Sequence, residues 1–333
     1  MESFLMYFLF VVGLVLIIKG GDFFVDAAVW FAEVSGIPHF IVGATIVGFA
    51  TSLPEILVSV IAAAQADAQT IAGEIPKGVQ MATGNAIGSV TANTGLILGI
   101  SLLFMPMAIR IREYFPKIGL LMLSIAVIWI FGMLFGEISI VASILLVVLF
   151  GLFIYENIRS AKKNLSVQSE EAAINREEVT KAVVAKKIFM FVIGCAGIII
   201  GSQLLVDNGS AIAASLGVPT RIISISAVAI GTSLPELVTT ISAITKKQAS
   251  LSVGNILGSN IIDLTIVLPP CMLAYGKSLP VEQATLFVDL PVLLALSLIC
   301  FVPTFFTKKF ARWQGVALLL GYVAYIVYTF VFH

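Results

Sequence analysis

Thr51-Ser52-Leu53-Pro54-Glu55 and Thr232-Ser233-Leu234-Pro235-Glu236 are two copies of one five-residue string in a chain of 333 residues. The likeness extends outward from them. At a shift of 181 residues Asp26 meets Asp207, Pro38 meets Pro219 and the two strings coincide without a gap. Further on, Gly84-Asn85-Ala86-Ile87-Gly88-Ser89 matches Gly254-Asn255-Ile256-Leu257-Gly258-Ser259 at a shift of 170, so the first half carries 11 extra residues between Gln65 and Val79. Anchors held in register over this length mark an internal duplication.

The composition says which solvent the duplication lives in. Hydrophobic residues make up 59% and charged residues 11%, where a soluble domain has about 25% charged. Apolar stretches near the roughly 20 residues that a bilayer requires recur from Leu5 to Phe332. Hydropathy predicts ten spans, at about 4–33, 39–65, 78–104, 117–135, 138–158, 187–214, 220–245, 249–275, 285–302 and 313–332. The opening segment, Met1-Glu2-Ser3, has no positive n-region, so the first span is expected to be retained rather than cleaved as a signal peptide. Between the fifth and sixth spans a run including Lys162, Lys163, Glu170, Glu171, Arg176, Glu177, Glu178 and Lys181 reads as a polar linker.

The predicted fold is therefore an all-α integral membrane protein. Residues 1–158 form a first five-helix repeat, 159–187 the linker and 188–333 a second five-helix repeat. An odd number of spans per repeat turns the second copy upside down, giving the inverted topology of secondary transporters. Loops rich in Lys and Arg face the cytoplasm. With ten spans, one set of loops holds Arg110, Arg112 and Lys117, the linker cations, Lys246, Lys247, Lys308, Lys309 and Arg312. The other holds only Lys77, Arg221 and Lys277. The linker is expected to be cytoplasmic and both termini extracytoplasmic, in a cell (inner) membrane.

Net charge is +0, which gives no reason to expect nucleic acid. Cys195, Cys271 and Cys300 lie singly in apolar runs without metal-ligand spacing and are expected to pack.

The chemistry concentrates in the motifs. Glu55 and Glu236 fall inside apolar spans, where a carboxylate costs at least about 2.5 kcal/mol by insertion scales. The partner expected for such a carboxylate is a cation from solution. Two carboxylates at the interface of inverted repeats suit a hard divalent cation with oxygen ligands. Without His or Cys beside them, calcium fits better than zinc or copper. Thr51 lies four residues before Glu55, and Thr232 four before Glu236, so hydroxyl and carboxylate are expected on one helical face. Pro54 and Pro235 cannot donate to the carbonyls of Ala50 and Gly231 and are expected to distort each helix there, giving broken helices whose freed carbonyls line a cavity as cation ligands. Ser89 with Asn93, and Ser259 with Asp263, present a second layer of oxygens at the same spacing. Gly84, Gly88, Gly254 and Gly258 form small-xxx-small pairs expected to bring the third and eighth spans against the motif helices. Asp22, Asp26, Asp207 and Asp289 are read as interfacial, capping or packing acids, and His39 as interfacial.

At these motifs the chain resembles the sodium/calcium exchanger branch of the cation/calcium antiporter superfamily, whose paired G-T-S-L-P-E and G-N-x-x-G-S-N-type segments supply the transport site. The resemblance covers nearly the whole chain. It implies a secondary active antiporter, not an enzyme and without cofactor, exchanging sodium for calcium by sliding of the first and sixth spans. It also implies that Thr51, Glu55, Thr232 and Glu236 surround calcium. Ser52, Ser89, Ser233, Ser259 and the carbonyls of Gly48 and Ala229 would help form sodium sites, with Asn93 and Asp263 in a middle layer. The expected partners are calcium, sodium and membrane lipid, and the working unit a monomer. Ser89-Val90-Thr91-Ala92-Asn93 lacks the counterpart of Asn260, and Asp263 resembles potassium-dependent exchangers as much as sodium-only ones, so proton-coupled and potassium-dependent exchange are the alternatives. An intramembrane hydrolase is a remote one, because the chain has neither H-E-x-x-H nor G-x-S-x-G.

Overall fold

The structure, a computed structural model, describes residues 2–66, 75–168, 180–216 and 231–332. Helices dominate them. α1 runs Glu2–Ser35. α2 (His39–Val42) passes through a π-helical turn, Gly43–Val47, into α3 (Gly48–Thr51), and after one residue α4 (Leu53–Ala64) begins. α5 (Lys77–Ala92) passes through a second π turn, Asn93–Ile97, into α6 (Leu98–Phe104). α7 (Ile111–Phe135), α8 (Ile140–Gln168), α9 (Lys181–Ser215) and α10 (Leu234–Thr245) follow. α11 (Ala249–Ile262) continues by a π turn, Asp263–Val267, into α12 (Leu268–Tyr275). A last π turn, Thr285–Asp289, opens α13 (Leu290–Thr307), and α14 spans Arg312–Phe332.

Among the described residues eight helical stretches are long and apolar enough to cross a bilayer: Phe4–Ser35, His39–Ala64, Lys77–Phe104, Ile111–Phe135, Ile140–Lys163, Lys181–Gly209, Ala249–Tyr275 and Thr285–Thr307. Each coincides with a predicted span. The span predicted at 220–245 is represented by the shorter α10, since residues 217–230 lie outside the description, as do 67–74 and 169–179. Large apolar side chains cover the outside of the helices; Leu134 is 70% exposed and Phe306 75%. Water would penalise such a surface and hydrocarbon would not, so this is a multi-pass membrane protein.

The chain divides into two compact units, one of residues 1–51 with 161–255 and the other of 52–160 with 256–333. In the first, α1 and α9 approach backbone to backbone. A Cβ on Gly13 would stand 3.0 Å from the Gly201 carbonyl, and one on Gly20 2.8 Å from that of Gly194. Only glycine permits this. Phe24 stacks on Phe191 with ring centroids 4.5 Å apart, and the core continues through Val25, Ala28, Val42, Val47, Ile198 and Leu251. The adjacent Gly21 admits Val238 of α10. α2 lies against α11 because Gly43 accommodates the Leu251 carbonyl and Gly254 that of Phe40.

In the second unit α4 packs on α5, with Gly78 against the Ala62 carbonyl. Gly99 and Gly315 bring α6 and α14 together, and Gly95 seats the ring of Tyr322. Two-residue antiparallel strands tie the loops: β1 (Met107–Ala108) to β4 (Lys309–Phe310), and β2 (Glu137–Ile138) to β3 (Leu279–Pro280). Lys117, expected near a loop, is instead fully buried one turn inside α7, its Nζ donating to the Glu113 carbonyl at 3.0 Å.

Candidate functional site

The first motif folds as a broken helix. α3 ends at Thr51, Ser52 is a turn residue, and Pro54 occupies the first turn of α4. Proline is welcome there, because its missing N–H is one that a helix start leaves unused anyway. The second motif repeats the arrangement: Thr232 and Ser233 form a turn and Pro235 lies in the first turn of α10. Pro54 and Pro235 therefore open the helices that follow each break, and Thr51 and Glu55 stand on either side of the turn at Ser52. The Ala50 carbonyl, expected to be freed for a cation, has the Cys195 thiol 4.0 Å away.

Glu55 and Glu236 each stand in the first turn of a 12-residue helix, and both are fully buried. The helix dipole favours a carboxylate at that end. Serine at a helix N-cap ordinarily accepts from a first-turn N–H. Ser52 and Ser233 hold the N-cap positions without making that bond, and their buried Oγ atoms have no hydrogen-bond partner among the described residues. Each motif thus keeps a hydroxyl oxygen beside a buried carboxylate and withholds it from the helix end.

In the first unit Thr51 Oγ1 lies 3.2 Å from the Gly48 carbonyl and 3.2 Å from Asn255 Oδ1. α3 also packs on α10, which carries Glu236. In the second unit the Asn85 amide donates to Ser59 Oγ at 2.9 Å and reaches the Glu55 carbonyl at 3.5 Å. α4 and α5 both pack against the π turn that opens at Asp263. Ser89 and Asn93 lie on successive turns, the Asn93 N–H donating to the Ser89 carbonyl, and Ser259 and Asp263 have the same spacing. All four are buried, and both amide atoms of Asn93 lack a hydrogen-bond partner among the described residues. Asn260 donates to Thr94 Oγ1 at 2.9 Å.

The structure thus groups Gly48, Thr51, Thr232, Ser233 and Glu236 in one unit and Ser52, Glu55, Ser89, Asn93, Ser259 and Asp263 in the other. Ala229 lies outside the described residues. Gly254 makes the close approach expected of it, whereas a Cβ on Gly84 or Gly88 would meet no described atom within 4 Å. Two features escaped the sequence reading. Asn85 and Asn255 stand in quoted motifs yet were not counted as site residues; their signal was their matching place in both halves. The π turns at Asn93 and Asp263 insert an extra residue into each helix turn, a feature common at functional sites. Among the described residues no three His, Cys, Asp or Glu side chains cluster as a metal site.

The model of the sodium/calcium exchanger protein family matches residues 5–159 and 186–331, both halves of the chain. The chain is 32% identical to the sodium/calcium exchanger MaX1 of Methanosarcina acetivorans, covering 97% of this chain and 98% of that one. It is 31% identical to the inner membrane protein YrbG of Escherichia coli, covering 96% and 94%. The solved sodium-calcium exchanger NCX_Mj superposes with a TM-score of 0.80 at 28% identity, over 98% of this chain and 99% of that one. Two repeats matched end to end, with the doubled motif buried inside a membrane bundle, place this chain in the sodium/calcium exchanger family, as a membrane antiporter of the cation/calcium class rather than an enzyme.

Proposed function

We propose that the protein exchanges sodium for calcium across the membrane by alternating access, through ten spans arranged as two inverted five-helix repeats, 1–158 and 188–333. The linker, 159–187, is cytoplasmic and the termini extracytoplasmic, in a cell (inner) membrane, and the monomer is the working unit. Thr51, Glu55, Thr232 and Glu236 coordinate calcium. Gly48, Ser52, Ser89, Asn93, Ala229, Ser233, Ser259 and Asp263 form sodium sites and the middle layer.

The observation that carries this reading is the pair of N-cap serines. Ser52 and Ser233 keep buried hydroxyls off their own helix ends beside fully buried glutamates. A buried polar atom left without a partner costs about 1–3 kcal/mol, a cost that a bound cation removes. Doing this twice, at equivalent positions of two repeats, suits a reversible site reached from both sides. The carboxylates draw the divalent ion, and the neutral oxygens around them suit the weaker binding of sodium.

The experiment is uptake of labelled calcium by proteoliposomes, with sodium, potassium and proton gradients imposed one at a time. Vesicles loaded with sodium should take up calcium on dilution into sodium-free buffer. Uptake driven only by a pH gradient would sink the sodium assignment, and uptake requiring potassium with sodium would move Asp263 into a potassium-dependent scheme.

A further inference from the structure

α1 carries two acids one turn apart, Asp22 and Asp26, and like charges at this spacing oppose one another. Lys246, the C-cap of α10, relieves them. Its Nζ lies 2.8 Å from Asp26 Oδ1 and 3.7 Å from Asp22 Oδ1, and donates to the Asp22 carbonyl at 2.6 Å. Ser242, one turn earlier on α10, donates to the Gly21 carbonyl at 3.2 Å. Lys247 adopts a left-handed conformation (φ 57°), its N–H donating to the Ile244 carbonyl just past the end of α10.

The duplicated half lacks this device. The 181-residue shift pairs α10 with α4, equal at 12 residues, and their C-caps are Lys246 and Gln65. The same shift pairs Asp22 with Gln203 and Asp26 with Asp207. In α9 the Gln203 amide donates to both oxygens of Asp207 at 3.0 Å, within its own helix. One acid and the lysine have thus been replaced together, and the remaining acid is satisfied locally.

We propose that Lys246 is a positioning residue for the transport cycle: its ion pair with Asp22 and Asp26 holds α1 against α10 in one of the two alternating arrangements and, having no counterpart at Gln65, makes the two unequal in energy. This rests on the reading of the chain as an alternating-access antiporter. Inverted repeats of identical sequence would populate their two states equally, and a contact present in only one repeat biases them by its own differential free energy. Lys246 is 21% and Asp26 49% exposed, so the bias is that of a partly solvated pair, about two- to fivefold.

The test compares wild type, K246R and K246Q as full chains in liposomes of a single orientation. The readout is the ratio of the apparent calcium KM values at the two membrane faces. K246Q should shift the ratio about two- to fivefold and K246R should keep it. An unchanged ratio in K246Q overturns the proposal, as does an equal shift in K246R, which would mark Lys246 as merely structural. If the wild type moves no calcium in response to sodium, the functional reading fails, and amide exchange decides the ion pair by itself. Faster exchange over residues 20–27 in K246Q than in K246R upholds the tie to α1; equal exchange overturns it.

Discussion

Thr51 and Asn255, 204 residues apart in the chain, meet at 3.2 Å through hydroxyl and amide oxygen. One belongs to the Thr-Ser-Leu-Pro-Glu motif of the first half and the other to the Gly-Asn motif of the second. The pairing joins the repeats through the residues that define them. It depends on Gly43 and Gly254, whose missing side chains let α2 lie against α11.

Asn255→Leu should therefore weaken calcium binding without abolishing transport. A net hydrogen bond is worth about 1 kcal/mol, so the KM for calcium should rise about fivefold. Initial rates over a calcium series measure it, and an unchanged KM would show that Asn255 does not orient Thr51 for binding.

Glu55→Gln and Glu236→Gln keep the shape of each side chain and remove its charge. Losing a charged ligand at a buried site costs about 3 kcal/mol, so calcium uptake should fall about 100-fold while the purified variants keep their helical content and elute as the wild type does. Wild-type uptake in either variant would remove that glutamate from the site.

Ser52→Ala and Ser233→Ala separate capping from ligation. A serine that caps its helix loses about 1 kcal/mol of stability on truncation. Neither of these makes the capping bond, so thermal stability in detergent should change by less than that, while the sodium concentration needed for half-maximal exchange rises. A stability loss with unaltered sodium dependence would identify them as structural.

Gly20→Val should disturb the α1–α9 contact, because its Cβ would stand 2.8 Å from the Gly194 carbonyl. Overpacking of this kind costs about 1–3 kcal/mol. Gly151→Ala in α8 is the control. Its Cβ would meet no described atom within 4 Å, and replacing a mid-helix glycine gains about 0.5–1 kcal/mol. Thermal unfolding of the two variants side by side should show shifts of opposite sign.

The spans were legible because the bilayer imposes a length and a polarity on every helix that crosses it. The two glutamates were legible for the same reason, since an acid inside such a span stands out. What hydropathy hides is geometry within a helix. A proline four residues beyond a carbonyl marks a disturbed helix, but not that the chain turns at Ser52 and that Pro54 opens the next helix. Nothing in Ala92-Asn93-Thr94 or Ile262-Asp263-Leu264 distinguishes a π turn from an α turn. Lys117 was misread because cations near a span end usually lie in water, whereas this one finds a carbonyl inside α7.

By itself the sequence determined that this is a duplicated, membrane-embedded chain with matched acids in its spans, because hydrocarbon solvent restricts composition residue by residue and a repeat preserves its anchors in order. Only the tertiary structure decided which residues share a neighbourhood: Thr51 with Asn255, Asn85 with Ser59, Lys246 with Asp22 and Asp26. Those contacts depend on how closely two helices can approach and on where each one breaks. Both follow from packing between segments far apart in the chain, which no local pattern of residues encodes.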